Sequence, residues 1–470
     1  TPVTVVQGNP TVAGVVGDTF AGFTHRLYDD PRLRLVVDDP RSFLRRTSRS
    51  FDLILLPLTD SFHPVTAGAY TLSEDYRYTV EAFADALAHL SPGGVLLAER
   101  WLQLPPSESL RLWGTALAAA RRFGGEGEVA ERVFALRSLQ TSLVGVARAP
   151  LTAAEAATVR RFAASRQFDL VYLPGMRPEE ANRFSVVPEA AYHRAFTDLL
   201  AAPDPDAFFA AYPYDVTPPT DDRPFFFHFF RWRQTPEILQ SLGRTWQPFG
   251  GSGYLVLAAL LALAVLLSAG LIVLPLAVWR RRGNGDGAGR GARVRFLLYF
   301  ALLGLGFLFV EIPLLQRFIL YLGQPAYAFA VVVSALLVAS GVGSGLLSRR
   351  VSLRIALPAI VALAVGMPFL LPSLFRATLA FPFAGRVAVT ALALFPPGAL
   401  MGIPFPRGLA RVAAESPGLV PWVWAVNGCA SVVASVLAAM LALGWGFSAV
   451  LWGAALCYAL AGATLAQDAF

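Results

Sequence analysis

Carboxylate and amide side chains stand directly after three short apolar runs near the start of the chain. Carboxylates accept hydrogen bonds from hydroxyl and amino groups, and a well-placed one takes a proton from a reacting amine. If the runs are parallel strands, these side chains meet at the carboxyl edge of a sheet, where such folds bind ligands. The residues concerned are Gln7 and Asn9 after 3–6, Asp38 and Asp39 after 33–37, and Asp60 after 51–56.

The elements that must position these residues alternate between strand and helix patterns. Short β-branched runs separated by segments with apolar residues at helical spacing predict an α/β doubly wound, Rossmann-like domain. Residues 91–94 (SPGG) predict a helix stop and a turn. The predicted strands are 3–6, 33–37, 51–56 and 94–98, with helices at 10–20, 40–46, 78–90 and 105–123 and a closing hairpin of 129–137 and 141–147.

A structural role competes with the functional one at each carboxylate. Asp before proline at the first helical position is a good N-cap, so Asp38 and Asp39 are also candidates for capping the helix that begins at Pro40. Capping and ligand binding can coexist on one side chain. Asp60, between Thr59 and Ser61, also fits a turn residue.

Composition excludes several classes of function. All 39 basic residues are arginine, so no lysine is available for Schiff-base chemistry. The two cysteines and five scattered histidines predict neither a disulfide framework nor a metal site. Residues 1–250 hold 25 arginines against 28 acidic residues, whereas 251–470 hold 14 against 4. The basic excess therefore belongs to loops that flank membrane spans, and no nucleic-acid partner is expected.

Several motifs together resemble the spermidine synthase family, and most closely its bacterial membrane-fused members. The family motifs are matched by 5–10 (VVQGNP), 27–33 (LYDDPRL), 36–44 (VVDDPRSFL) and 51–54 (FDLI). The membrane-fused subgroup is matched by 58–62 (LTDSF), 67–74 (AGAYTLSE), 78–83 (YTVEAF) and 218–226 (PPTDDRPFF). The resemblance covers most of the chain.

The resemblance implies transfer of an aminopropyl group from decarboxylated S-adenosylmethionine to putrescine, or a related transfer from S-adenosylmethionine. It implies that Asp39 binds adenine, that Gln7 occupies the position of the ribose carboxylate, and that Asp60 is the second catalytic aspartate. Pro57 stands where the first catalytic aspartate is expected, which implies an eroded catalytic site. Glu74 and Asp75 are further carboxylates near Asp60 in the sequence. The family's glycine-rich loop is expected before Thr1, so we expect an upstream part of the protein.

Beyond Gly250 the chain has seven apolar runs long enough to span a bilayer. The fifth carries several prolines and glycines and is expected to be broken or re-entrant, lining a cavity or buried in protein. The glycines of 341–345 (GVGSG) predict close helix packing. The predicted spans are 254–278, 296–322, 327–347, 352–374, 386–403, 421–443 and 446–465.

Three polar residues lie within these spans: Glu311, Arg317 and Asn427. A charge at the centre of a span costs on the order of 2.5–3.5 kcal/mol, so Glu311 is expected to be neutral or paired. Arg317 is six positions away and does not share its helix face, which leaves Asn427 as the candidate partner. Two interpretations stay open for Glu311, a proton or substrate site and a hydrogen-bonded structural residue.

Arginines near the span ends predict the orientation. The 279–295 loop carries six, and alternation from that loop places eleven on the cytoplasmic side against two on the other. Residues 1–250 then lie outside the cytoplasm. This conflicts with an enzyme that uses decarboxylated S-adenosylmethionine, a cytosolic compound, unless unseen upstream spans reverse the orientation or one span does not cross.

The predicted organisation has three parts. Residues 1–150 form a partial spermidine synthase-like domain, and 251–470 form a multi-pass cell-membrane domain. Between them, 151–250 form a helical, aromatic extension whose 203–233 segment is interpreted as a juxtamembrane collar, with core packing as the alternative. The expected partners are the lipid bilayer and a polyamine or other small-molecule substrate, and a homo-oligomer stays open. The formal function is a transferase; the alternative is a transport or scaffold protein with a non-catalytic domain.

Overall fold

A computed structural model describes residues 2–59, 72–125, 128–236, 252–281 and 290–466. The chain divides into two compact units, Thr1–Leu255 and Val256–Phe470, called here unit 1 and unit 2. Each unit is described by itself. The segment predicted as a separate extension, 151–250, falls within unit 1.

Unit 1 has a Rossmann-like arrangement of strands and helices, as the sequence predicts. Its strands form a two-stranded parallel sheet, β1–β2, and a five-stranded sheet in the order β3-β4-β6-β5-β7. Strand β3 is parallel to β4, and the remaining pairs are antiparallel. The strands are β1 (Val3–Gln7), β2 (Leu33–Val37), β3 (Phe51–Leu56), β4 (Leu90–Trp101), β5 (Val133–Arg137), β6 (Thr141–Ala147) and β7 (Asp169–Tyr172).

The β1–β2 pair and the five-stranded sheet are not hydrogen-bonded to each other among the described residues. Among the described residues, one edge of β1 and one edge of β3 have no strand partner. Leu53 and Leu55 of β3 are accordingly about half exposed, at 54% and 47%. The hairpin predicted to close the sheet is confirmed, because β5 and β6 pair from Val133↔Val146 to Arg137↔Ser142.

Helices of unit 1 begin where the sequence provides caps. The Asp39 side chain caps α2, and the Thr79 hydroxyl caps α3 by accepting from Ala82 N. Helix α3 ends before the predicted stop at 91–94, but those four residues form a bulge within β4 rather than a turn outside it. The helices are α1 (Pro10–Gly14), α2 (Pro40–Arg46), α3 (Val80–Ala88), α4 (Glu108–Gly124), α5 (Val129–Arg132), α6 (Ala153–Arg166), α7 (Ala191–Ala201) and α8 (Pro205–Ala211).

The predicted helix at 10–20 is regular only in its first part. After α1 the chain continues as a π-helical turn, Val15–Thr19. Few other residues pack on this region, since Phe20 is 55% exposed and Phe23 is 86% exposed.

The core of unit 1 packs α3, α4 and α7 against the larger sheet. Trp113 of α4 is fully buried, stacks on Phe196 at 5.0 Å between ring centroids, and donates its indole N–H to Phe196 O at 3.0 Å. Satisfying the indole donor lets a large aromatic group be buried without an unpaired polar atom. The core therefore draws on residues far apart in the chain.

Unit 2 consists of long apolar helices. Seven candidate membrane spans occur among the described residues, in agreement with the predicted number. The fifth is interrupted at Gly402–Ile403, which confirms a broken helix. The helices are α9 (Ser252–Arg281), which starts just before the unit boundary, α10 (Arg290–Leu322), α11 (Pro325–Gly345), α12 (Leu353–Thr378), α13 (Phe383–Met401), α14 (Pro404–Glu415), α15 (Val420–Trp445) and α16 (Phe447–Ala466).

Glycines allow α11 and α13 to cross at backbone contact. A Cβ on Gly343 would overlap Ala399 O, and one on Gly402 would overlap Ser340 O. Gly398 faces Ala339 in the same way. Of the predicted glycine run, Gly341 and Gly345 are open, because a Cβ at either position would meet no atom of the described residues within 4 Å. The close crossing is thus made by one glycine of the run and by glycines of the partner helix.

Candidate functional site

The carboxyl ends of β1 and β2 bring four of the predicted site residues together. Asp38 N donates to Gln7 O at 3.1 Å, which joins the two strand ends. A Cβ on Gly8 would lie 3.8 Å from Asp38 O, so the turn after β1 runs against the turn after β2. Gln7, Asn9, Asp38 and Asp39 therefore share one edge of the small sheet.

Asp39 carries out the capping role that the sequence predicts. Its Oδ1 accepts a hydrogen bond from Ser42 N at 2.8 Å at the start of α2. Among the described residues, nothing donates to its other carboxylate oxygen, and the side chain is half-buried. One oxygen is thus used for structure, and the second is available to an amino group of a ligand.

The other three residues at this edge are engaged locally. Asp38 forms an ion pair with Arg46 and accepts from Asp39 N at 2.9 Å. Gln7 Oε1 accepts from Asn9 N at 3.1 Å, and Asn9 Oδ1 caps α1 by accepting from Thr11 N at 2.9 Å. Asp38 is therefore electrically balanced, and Asn9 has a structural role.

The carboxyl end of β3 is the second place where the sequence predicts site residues. Asp60 lies outside the described residues. Thr59, directly before it, receives a 3.4 Å hydrogen bond from Arg77 Nη1. Arg77 in turn holds Asp75 through two hydrogen bonds of 3.0 and 2.7 Å. Arg77 therefore links Asp75 to Thr59 at the end of β3, and Asp75 is already paired.

Two further carboxylates lie in this region. Burial raises the pKa of Glu74 above its usual range, and a hydrogen bond from its own backbone N–H to the carboxylate opposes this shift. Glu99, near the end of β4, accepts from Leu58 N at 3.4 Å across the top of β3. Sequence reasoning missed Glu99, although a single carboxylate late in an otherwise apolar strand that is parallel to β3 is the signal that points to it.

An ionic cluster fixes the helix that Asp39 caps. Arg41 of α2 is 3% exposed and forms a bidentate pair with Asp221 and a 3.0 Å bond to Asp85. The Thr79 hydroxyl also donates to Asp221, at 2.9 Å. Attraction to these carboxylates raises the pKa of Arg41, against the opposing effect of burial. The 218–226 motif thereby anchors α2.

The phenylalanines of the aromatic run after this motif are buried within unit 1, as the core-packing alternative expects, and the juxtamembrane collar stays a prediction. Phe226 is fully buried, and the other phenylalanines are at most 5% exposed: Phe225, Phe227, Phe229 and Phe230. Aromatic residues serve both cores and membrane interfaces, so composition alone does not separate the two. Trp232, at 59% exposed, keeps the collar role as a prediction.

The polar residues of the spans do not form the expected pair. Asn427 Nδ2 donates to Phe300 O at 3.0 Å, and Phe300 lies about 16 Å along α10 from Glu311. Arg317 Nη2 donates to Ser448 Oγ at 2.8 Å. Glu311 is half-buried and has no hydrogen-bond or ion-pair partner among the described residues. The distance along the helix axis therefore rules out Asn427 as its partner.

Unit 2 contains a cavity of about 280 Å³ beside the interrupted fifth span. This fits the expectation that irregular backbone at membrane depth lines a cavity. Its lining combines apolar side chains with hydroxyl and amide groups, and the polar members are Ser340, Ser344, Asn427, Ser431 and Tyr458.

Comparisons with known proteins support a likeness to the spermidine synthase family. The chain is 28% identical over 109 residues to polyamine aminopropyltransferase 1 of Pseudomonas aeruginosa, covering 23% of this chain and 35% of that protein. It is 35% identical over 72 residues to the polyamine aminopropyltransferase of Escherichia coli, covering 15% and 22%. The Buchnera aphidicola enzyme of the same name is 26% identical over 97 residues, covering 21% and 31%.

These matches are partial. The chain spans about a third or less of the length of the curated relatives it matches. No protein-family model matches the chain. Within the described residues, no group of three or more histidine, cysteine, aspartate or glutamate side chains is placed to hold a metal ion.

Proposed function

We propose that this chain is a membrane-anchored transferase of the polyamine aminopropyltransferase type. Its nucleoside substrate, decarboxylated S-adenosylmethionine or S-adenosylmethionine, binds at the carboxyl edge of β1 and β2. The observation that carries the proposal is the split use of Asp39, whose Oδ1 caps α2 while its other oxygen is open to the adenine amino group. Gln7, one strand away, offers its side-chain amide to the ribose hydroxyls.

The amine substrate takes the neighbouring position, at the end of β3. Its nitrogen attacks the carbon next to the sulfonium, the C–S bond breaks, the thioether nucleoside leaves, and the amine proton passes to a carboxylate. Asp60 is the proposed proton acceptor, and Pro57 cannot share this role. Glu74, whose pKa is raised by burial, and Glu99 supply further carboxylates for an amine. Loss of one catalytic carboxylate makes this an eroded site, with slower transfer than the family norm.

The test is the affinity of the intact protein, with its native N-terminus, for decarboxylated S-adenosylmethionine. Asp39→Asn keeps a good helix cap but removes the charge, so affinity should fall by about 10- to 100-fold, as expected for a lost charge-assisted hydrogen bond. Asp204→Asn is the matched control, because Asp204 caps α8 through Asp206 N and Ala207 N away from this edge. Equal effects of the two substitutions would refute the assignment of Asp39.

The arginine distribution favours a second candidate, a transport or scaffold protein whose unit 1 is not catalytic. That distribution predicts unit 1 outside the cytoplasm, where decarboxylated S-adenosylmethionine is not made. Protease protection in sealed vesicles of known orientation separates the candidates. Cleavage within residues 1–236 only from the cytoplasmic side supports the transferase, and cleavage only from the opposite side supports the alternative.

A further inference from the structure

The cavity in unit 2 is framed by the break between α13 and α14. Met401, Gly402, Phe405 and Pro406 line it from this interrupted span, and α10, α11, α15 and α16 contribute the other walls. Discontinuous helices in membrane proteins commonly build ligand sites, because the ends of the half-helices are held apart from regular packing. The cavity therefore lies at a kind of position where membrane proteins commonly bind ligands.

Two polar groups of the lining have no protein partner among the described residues. Tyr458 is 1% exposed, and its hydroxyl neither donates nor accepts within that part of the chain. Asn427 donates through Nδ2 to Phe300 O, which leaves its Oδ1 without a donor from the described residues. Both residues line the cavity, so a ligand there can form hydrogen bonds with the Tyr458 hydroxyl and with Asn427 Oδ1.

The lining also determines the charge of the ligand. None of the residues that line the cavity is acidic or basic. A cation or an anion placed there would lose its hydration without gaining an opposite charge, which is costly inside a membrane domain. A polyamine, with two or more ammonium groups, is therefore a poor ligand for this site.

Size and polarity complete the assignment. A cavity of about 150 Å³ lined by apolar groups holds benzene, and this one is larger at about 280 Å³. Leu303, Phe307 and Phe405 add apolar surface to the hydroxyl and amide groups of the lining. We propose that the cavity is a binding site for an uncharged, amphipathic small molecule that carries a hydroxyl or amide group. This proposal does not depend on the transferase function of unit 1.

The experiment uses the intact protein and a photoreactive diazirine alcohol with an eight-carbon chain, with the labelled peptides mapped by mass spectrometry. Labelling is expected on 401–406 and 427–431. Tyr458→Phe should reduce this labelling by about five-fold, as one hydrogen bond implies. The corresponding diazirine alkylammonium should not label these segments.

Matched serines keep the test decisive if Tyr458→Phe does not fold. Ser431 lines the cavity, whereas Ser435, one turn further along α15, is exposed and bonds to Val432 O. Ser431→Ala should weaken labelling and Ser435→Ala should not. The proposal is overturned if the ammonium probe labels the cavity as strongly as the alcohol, or if both serine variants label like the wild type.

Discussion

Units 1 and 2 both bury arginine side chains, but different groups accept hydrogen bonds from the buried guanidinium groups. In unit 1 the buried guanidinium groups meet carboxylates: Arg100 is 1% exposed and bonds to Glu108 at 2.7 Å, and Arg137 bonds to Asp169 at 2.9 Å. In unit 2 the buried Arg386 donates to Tyr321 O at 2.7 Å, and Arg317 donates to a serine hydroxyl. Arg411 and Glu415 of unit 2 also form an ion pair, and both side chains are partly exposed.

The supply of carboxylates explains this difference. Residues 1–250 contain 28 acidic side chains, and 251–470 contain 4. Unit 1 can therefore build its core around ion pairs, whereas unit 2 must use backbone carbonyls, hydroxyls and close glycine contacts. This difference agrees with the two proposals, a charged substrate for unit 1 and an uncharged ligand for unit 2.

Removing one partner of a buried ion pair in unit 1 should cause the largest loss of stability. Arg100→Met leaves Glu108 buried without its cation and should destabilise unit 1 by about 3–5 kcal/mol. Arg122→Met is the control, because Arg122 is 53% exposed and its pair with Glu81 is worth at most about 1 kcal/mol. Denaturant unfolding of the intact protein measures the stability of both variants. Equal losses of stability would contradict the role given to buried ion pairs in unit 1.

Adding a methyl group where a glycine contacts a neighbouring helix of unit 2 should cause the next largest loss of stability. Gly343→Ala places a methyl group against Ala399 O, and overpacking of this kind costs about 1–3 kcal/mol. Gly341→Ala, on the same helix, meets no described atom within 4 Å and should be neutral or slightly stabilising. Thermal unfolding in detergent distinguishes them. A Gly343→Ala protein as stable as Gly341→Ala would contradict the close crossing.

Acid should destabilise unit 1 through His228. This side chain is 4% exposed, and burial together with the charges of Arg223 and Arg111 lowers its pKa to about 3. The unfolded chain takes up the proton near the usual pKa of about 6.5, so stability is full above that pH and falls between about 6.5 and 3. His228→Gln should flatten the decline in melting temperature over this range, and the exposed-site control His25→Asn should not. An unchanged slope in His228→Gln would contradict the assignment.

Local patterns allowed part of this structure to be predicted. Asp39 before Pro40 was sufficient to predict the start of α2. Runs of apolar residues were sufficient to predict seven candidate spans. Contacts between distant segments were not predictable in this way. The bond between Arg41 and Asp221 joins residues 180 positions apart, and nothing local marks Asp221 as its partner.

The phenylalanines at 225–230 show a second limit. Their composition suits a membrane interface and a core equally, and only packing against Tyr78 and its neighbours assigns them to the core. The partner of Asn427 was missed for a similar reason, since a backbone carbonyl leaves no mark in the sequence. Of the candidate site, sequence reasoning found the residues at the β1–β2 edge but not Glu99.

The most direct test of the account is photolabelling of the intact protein with an azidoadenine form of S-adenosylmethionine. If adenine binds beside Asp39, cleavage after arginine should release the label on the peptide that runs from Leu35 to Arg41, and decarboxylated S-adenosylmethionine should compete for it. Label found only on residues 290–466, or labelling that the competitor does not reduce, would contradict nucleoside binding at the carboxyl edge of β1 and β2.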